Sequence, residues 1–218
     1  METVDIVALL ATVLTIGLFS SGIETCRKIH VSKSVGSSPH LPFIACSLNC
    51  ALWLLYGCLK PDTTVILVNA VGLILQLVYI IVYHTYTDNK FAVKRDTAIA
   101  SAVVFTSLLY FTKLAGDSDT SLFYLGLLCN VFTILFFASP LSTLAEVIRK
   151  QSTESLSFLM SLMSVLSCVT WTVYGFMVGD NFIVVPNAIG LLLSLTQLSL
   201  FVIYKNGKKI VSLNNSVI

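Results

Sequence analysis

The 218 residues would suffice for one or two small soluble domains. However, 56% of them are apolar and 11% charged, where a soluble domain carries about 25% charged residues. With a mean hydropathy of +0.89, the chain cannot assemble a water-soluble surface and reads as an integral membrane protein lying almost wholly in the bilayer. A net charge of +2, with basic residues in short clusters rather than a stripe, excludes nucleic acid as a partner.

Taken in chain order, charge-free runs of about the 20 residues that a spanning helix needs occur at 6–23, 41–59, 64–83, 97–115, 121–144, 157–178 and 182–204. The fourth is the weakest, since Lys113 falls in its last turn. The first run is preceded by Glu2 and Asp5 rather than Lys or Arg, which marks a retained first span and not a cleaved leader. The gaps leave no room for a soluble domain, so the expected fold is an all-α bundle of seven transmembrane helices. Cys26, Cys46, Cys50, Cys58, Cys129 and Cys168 sit mostly inside apolar runs and read as buried free thiols. Cys46 and Cys50 share a helix face, but no histidine lies near them in sequence, so neither a metal nor a cofactor is expected.

The placement of lysine and arginine gives the orientation. With the N-terminus outside, Arg27, Lys28, Lys33, Lys90, Lys94, Arg95, Arg149, Lys150, Lys205, Lys208 and Lys209 are all cytosolic, and only Lys60 and Lys113 lie outside. The C-terminus is then cytosolic, and so is the sequon Asn214-Asn215-Ser216, which should carry no glycan.

The sequence also repeats itself. A shift of 118 residues lays Phe19–Tyr86 on Phe137–Tyr204 without a gap, with 19 identities over 68 positions. Trp53, Tyr56 and Gly57 fall on Trp171, Tyr174 and Gly175; Asp62 falls on Asp180; Asn69 and Gly72 fall on Asn187 and Gly190. Apolar composition alone would not select these types. A three-helix unit that begins outside ends inside, so a second copy in the same orientation needs one extra crossing. The expected organisation is therefore 3+1+3: a first triple-helix repeat at 6–86, a linker helix at 93–115, a second repeat at 121–204 and a short cytosolic tail at 205–218. Parallel repeats of this kind suit transporters, which hold substrate where the two halves meet.

The doubled Trp-x-x-Tyr-Gly, the doubled Asn-x-x-Gly, the Ala-Ser-Pro-Leu at 138–141 and the basic loops after the first and fifth spans resemble the SWEET family of sugar facilitators. The resemblance covers almost the whole chain. It implies uncoupled, bidirectional transport of a sugar by alternating access, in the plasma membrane or the Golgi, with the lipid bilayer as surroundings and the oligomeric state left open.

The residues support that implication on their own terms. Trp53 and Asn69, and again Trp171 and Asn187, lie about six residues from the outer ends of their spans, or ~9 Å deep at 1.5 Å per residue. A carboxamide offers donors and an acceptor to sugar hydroxyls, and an indole face offers an apolar platform to sugar C–H groups. Taken singly, each could instead bridge helices or anchor an interface. The duplicated, coplanar set points to substrate contact, and the family's substrate-binding positions match the same four residues.

Nearer the outer surface, Tyr56, Tyr174 and Asp180 could hydrogen-bond across the pathway and close it. This resembles the family's extracellular gate, with an interfacial aromatic belt as the alternative for the tyrosines. On the inner side, the family has a proline on each of four helices. Here Pro42 and Pro140 remain, and Gly22 replaces the first. The fourth is lacking, with Ser157 and Met160 in its neighbourhood. These positions read as a cytosolic hinge or as static kinks. Pro186, just before Asn187, cannot donate to the carbonyl of Phe182 and reads as shaping the pocket.

No Asp, Glu, Lys or Arg stands at the middle of a span, and His30, His40 and His84 lie near the cytosolic ends. Ion-driven carriers usually keep such a group in the pathway despite its cost, so downhill transport is favoured. A seven-helix receptor would not be built from a duplication, and a retinal-binding pump would need a lysine in 182–204. No nucleophile–base pair suggests an enzyme. The remaining alternatives are a proton-coupled amino-acid carrier of the related Pro-Gln type, although no Pro-Gln occurs, and a membrane accessory protein. Trp53 stands where many plant members have a smaller residue. Two indoles should narrow the pocket toward monosaccharides.

Overall fold

The computed structural model describes residues 2–114 and 117–204. The tail at 205–218, with Lys205, Lys208, Lys209 and the sequon, lies outside the described residues, as does Ala115 at the end of the fourth expected span. The helices are α1 (Thr3–Ser20), α2 (Gly22–Ser32), α3 (Leu41–Leu59), α4 (Thr63–Tyr86), α5 (Lys90–Leu109), α6 (Ser118–Phe136), α7 (Ala138–Lys150), α8 (Phe158–Met177) and α9 (Asn181–Ile203). No strand occurs among the described residues. They fall into two compact units, one ending at Phe136 and the other beginning at Phe137.

Among the described residues, six helical stretches are long and apolar enough to cross a bilayer: Thr3–Ser32, Leu41–Leu59, Thr63–Tyr86, Asp119–Lys150, Phe158–Met177 and Asn181–Ile203. The remaining expected span, the fourth, is carried by α5. That helix starts at Lys90, and its first two turns hold Lys94, Arg95 and Asp96, so its polar head dilutes the apolar run behind it. The run continues past Leu109 through a wider π turn at Tyr110–Leu114.

Polarity is arranged as lipid demands. Leu9, Val13, Ile74, Ile81, Ile99, Phe105, Val131, Leu192 and Val202 are exposed, whereas Ser47, Gln76, Ser161, Ser167 and Ser194 are buried. Lipid tails give helices no hydrophobic reason to associate, so small residues and internal hydrogen bonds must hold them together. Glycines do so at matching points of both units. A Cβ on Gly57 would lie 3.1 Å from the backbone nitrogen of Ile66, and one on Gly175 would lie 3.0 Å from that of Val184. At Gly72 the neighbours would be the Phe19 ring at 2.5 Å and Cys50 Sγ at 2.9 Å; at Gly190 they are Cys168 Sγ at 3.0 Å and Phe137 at 3.1 Å. Each pair is related by the 118-residue shift.

In the first unit, Ile29 of α2, Ile44 of α3, Ile80 and Tyr83 of α4, and Val93 and Ala100 of α5 form one buried cluster. It fastens α5 to the unit. A polar tie adds to it: Asp96 accepts from Arg95 Nε at 2.7 Å and lies 2.8 Å from His40 Nε2. The Arg95 hydrogen bond, and after it that of His40, hold the Asp96 carboxyl below its usual range. Asp96 stands just ahead of the apolar run of α5.

Two expectations follow. Gly72→Val should destabilise the protein by about 1–3 kcal/mol, as overpacking does, and lower its melting temperature in detergent. For Asp96, a depressed carboxyl pKa contributes stability above the unfolded value that is lost as pH falls through the folded one. Wild type should therefore melt above Asp96→Asn at neutral pH, and the difference should close below about pH 4.

Candidate functional site

The sequence-predicted residues stand on the two antiparallel hairpins, α3–α4 and α8–α9. Each hairpin turns in the same way. Lys60 N–H donates to Tyr56 O and Asp62 N–H to Gly57 O at 2.9 Å; Val178 N–H donates to Tyr174 O and Asp180 N–H to Gly175 O at 2.8 Å. The aspartate then caps the returning helix. Asp62 Oδ1 accepts from Thr64 and Val65 N–H, both at 3.0 Å, and Asp180 Oδ1 accepts from Phe182 N–H at 2.9 Å. Such a cap satisfies donors that nothing else in hydrocarbon could serve. Asp180, expected at a gate, thus also starts α9.

Within each unit the structure brings the expected tryptophan and tyrosine together. The Trp53 and Tyr56 rings stand edge to face, 5.4 Å apart at 76°. Those of Trp171 and Tyr174 stand 5.6 Å apart at 90°. Trp53 and Trp171 are each 8% exposed, Tyr56 1% and Tyr174 5%. Tyrosines of an interfacial belt present a ring to the surface; these two are enclosed by protein.

The asparagines also match. Asn69 Nδ2 donates to Val65 O at 2.9 Å, and Asn187 Nδ2 to Ile183 O at 2.8 Å. Each bond folds the side chain onto its own helix and uses one amide hydrogen. Among the described residues neither carboxamide oxygen has a partner, and both side chains are half-buried. Each therefore offers an acceptor and a second donor. Pro186 is buried inside α9 directly before Asn187, and it cannot bond back to the Phe182 carbonyl.

The three expected hinge positions differ. The first membrane stretch breaks at Ser21, before Gly22, and the fourth breaks at Phe137, before Pro140. Pro140 has no N–H for the carbonyl of Phe136, which accounts for the end of α6 there. At Gly22 the cause is tertiary. A Cβ there would run into the ring of Tyr79, whose hydroxyl donates to Phe19 O at 3.1 Å. Glycine admits the ring, and the ring serves a carbonyl at the break. Pro42, by contrast, stands in the first turn of α3, where a missing N–H leaves no bond unmade; it begins a helix rather than interrupting one.

Sequence reasoning missed Tyr79, Asn49 and Thr133. The last two surround the Trp53 indole: Nε1 donates to Thr133 Oγ1 at 3.0 Å, and that oxygen is 2.9 Å from Asn49 Oδ1. The four-residue spacing of Asn49 and Trp53 puts both on one face of α3 and could have flagged the first. Thr133 is 80 residues from Trp53, with no local pattern to point to it.

A family described as sugar efflux transporter for intercellular exchange matches residues 5–91 and again 123–209, two stretches offset by the same 118 residues. Sugar transporter SWEET1 of Drosophila pseudoobscura pseudoobscura is 39% identical over 201 residues, covering 92% of this chain and 89% of that one. The SWEET1 proteins of Rattus norvegicus and Homo sapiens are 42% identical over 190 residues and 38% over 189, each covering 87% of this chain and 86% of its own. A solved structure of a eukaryotic SWEET transporter matches with a TM-score of 0.83 at 28% identity, over 93% of this chain and 97% of that one. The fold is thus of the class with seven transmembrane helices in 3+1+3 arrangement, two triple-helix repeats joined by a linker helix. The chain belongs to the MtN3/SWEET family of sugar transporters.

Proposed function

We propose that this protein is a facilitator that moves a monosaccharide such as glucose down its gradient, in either direction, by alternating access. The observation that carries the reading is the pair of asparagines. Asn69 and Asn187 each spend one amide hydrogen on their own helix and keep an acceptor and a donor for a ligand. A sugar hydroxyl is also donor and acceptor at once, and such groups inside a membrane protein are costly unless used. In this reading Asn69, Asn187, Trp53 and Trp171 contact the substrate. Tyr56, Tyr174 and Asp180 close the outer side, and Gly22 and Pro140 permit movement at the cytosolic side, where Pro42, expected as a third hinge position, instead starts α3. The relatives' description as sugar transporters supports the substrate class.

The absence of mid-span charge favours uncoupled movement. The functional halves are then 6–86 and 121–204, joined by the linker at 93–115, with 205–218 as a tail. The N-terminus lies outside or in a lumen and the C-terminus in the cytosol, in the plasma membrane or the Golgi.

Proteoliposomes holding the purified protein should take up labelled glucose saturably without an ion gradient, and a pH gradient should not change the rate. Asn187→Ala should lose about 10-fold or more in kcat/KM, as expected when hydrogen bonds to a desolvated ligand are left unmade. Saturable uptake of amino acids in place of glucose, or a rate driven by pH, would sink this reading. The Trp53 indole also sets the size limit. Trp53→Ala should admit a disaccharide that wild type excludes; a folded variant that still carries glucose but gains no disaccharide flux would show that the limit lies elsewhere.

A further inference from the structure

Inside the first unit, a short polar chain crosses from α3 to α6 and back. The indole N–H of Trp53 donates to Thr133 Oγ1 at 3.0 Å. The Thr133 hydroxyl lies 2.9 Å from Asn49 Oδ1 and 2.9 Å from Cys129 O, so its single proton goes to one of these while its lone pair takes the indole. Many threonines of this protein bond only the carbonyl four residues back, as Thr12, Thr112 and Thr196 do. Thr133 adds two partners on a neighbouring helix to that local bond.

The consequence is mechanical. A tryptophan side chain turns about two torsions. Here one end of the ring is held by a hydrogen bond to Thr133, and its edge-to-face contact with Tyr56 holds it again. Asn49 and Trp53 are four residues apart on one face of α3, so the relay begins and ends on one helix while α6 supplies its middle. Neighbouring hydrogen bonds of such a chain strengthen one another in a low dielectric. The 118-residue shift lays Thr15 on Thr133, Trp53 on Trp171 and Asn49 on Ser167, so the copies differ here in having a carboxamide in the first and a hydroxyl in the second.

We propose that Thr133, braced by Asn49, is a positioning residue for Trp53. It fixes the plane of the indole that faces the sugar and thereby sets which hexoses the first unit accepts. The proposal rests on Trp53 being a substrate contact, and its test keeps the two apart.

The chain has two tryptophans, so Trp171→Phe leaves Trp53 as the sole indole. In that background Thr133→Val, which keeps the shape and removes the hydroxyl, should shift the emission to shorter wavelength and lower the anisotropy. Thr133→Ser should restore both. With Trp171 present, Thr133→Val should lose about 5- to 30-fold in kcat/KM for the preferred hexose. The loss should lie mainly in KM, the ratio between hexose epimers should shrink, and Thr133→Ser should recover both. A purely structural role would lower melting temperature and active fraction without changing KM or the epimer ratio. Unchanged fluorescence in the Thr133→Val variant overturns the latch. Changed fluorescence with an unchanged epimer ratio overturns its part in selectivity. If Trp53→Ala itself transports with wild-type KM and selectivity, the substrate-contact reading of Trp53 has failed, and the proposal falls with it even if the fluorescence responds.

Discussion

The arrangement depends on how closely the two arms of each hairpin approach. Hydrocarbon gives α3 no reason to prefer α4 over lipid, so the pair is held by backbone proximity and by bonds that lipid cannot supply. Gly57 lets α3 approach the backbone of α4 at Ile66, and the turn that follows is closed by Asp62, bonded to Gly57 O and capping Thr64 and Val65. Once that turn is fixed, so is the register of the two arms, and with it the position of Trp53 on one relative to Asn69 on the other. Gly175 and Asp180 do the same for Trp171 and Asn187. The aspartate is therefore required by the hairpin before any gate is considered. Replacing it would disturb the register as well as any closure.

Much of this was legible in the sequence, because the repeat exposes residues whose chemistry has no business in a lipid-facing stripe. Trp, Asn, Asp and Gly recur at a 118-residue interval, and the structure gives each pair the same local task. The spans were legible by length and apolarity; for α5 only the start was not, because its charged first turns belong to the same helix as its apolar run. Tertiary partners were not legible. Nothing local announces that Thr133 accepts from Trp53, or that the Tyr79 hydroxyl reaches Phe19 O across 60 residues. Pro42 shows the same limit in reverse. A proline in an apolar run suggests a kink, but its effect depends on whether the preceding turn is helical, and at Pro42 it is not.

The breaks at Ser21 and Phe137 show one requirement met in two ways. A helix interrupted in a membrane leaves carbonyls that water cannot serve, at a cost of several kcal/mol each. In the second case the interruption is written into the chain by Pro140, which has no hydrogen to give. In the first, Gly22 carries no such instruction. The break there coincides with the Tyr79 ring, which fills the space where a side chain would be and bonds the Phe19 carbonyl. The counterpart of Tyr79 is Gln197 and that of Gly22 is Pro140, so cause and compensation have changed together.

That pairing bears on how a duplicated protein divides its work. Positions alike in both copies, Trp, Tyr, Asp, Asn and the glycines, build the hairpins and present the same polar groups in each. On the proposed reading they contact the substrate, and positions alike in both copies offer the same groups twice, whereas a hexose is not symmetrical. Discrimination has to come from positions where the copies differ. In the first unit, the difference that touches an expected contact residue is Asn49, whose carboxamide completes the relay through Thr133 to the Trp53 indole. One helical turn before Trp171 the second copy carries the hydroxyl of Ser167 instead, so the two copies differ in chemistry at a position where each indole has a neighbour on its own helix.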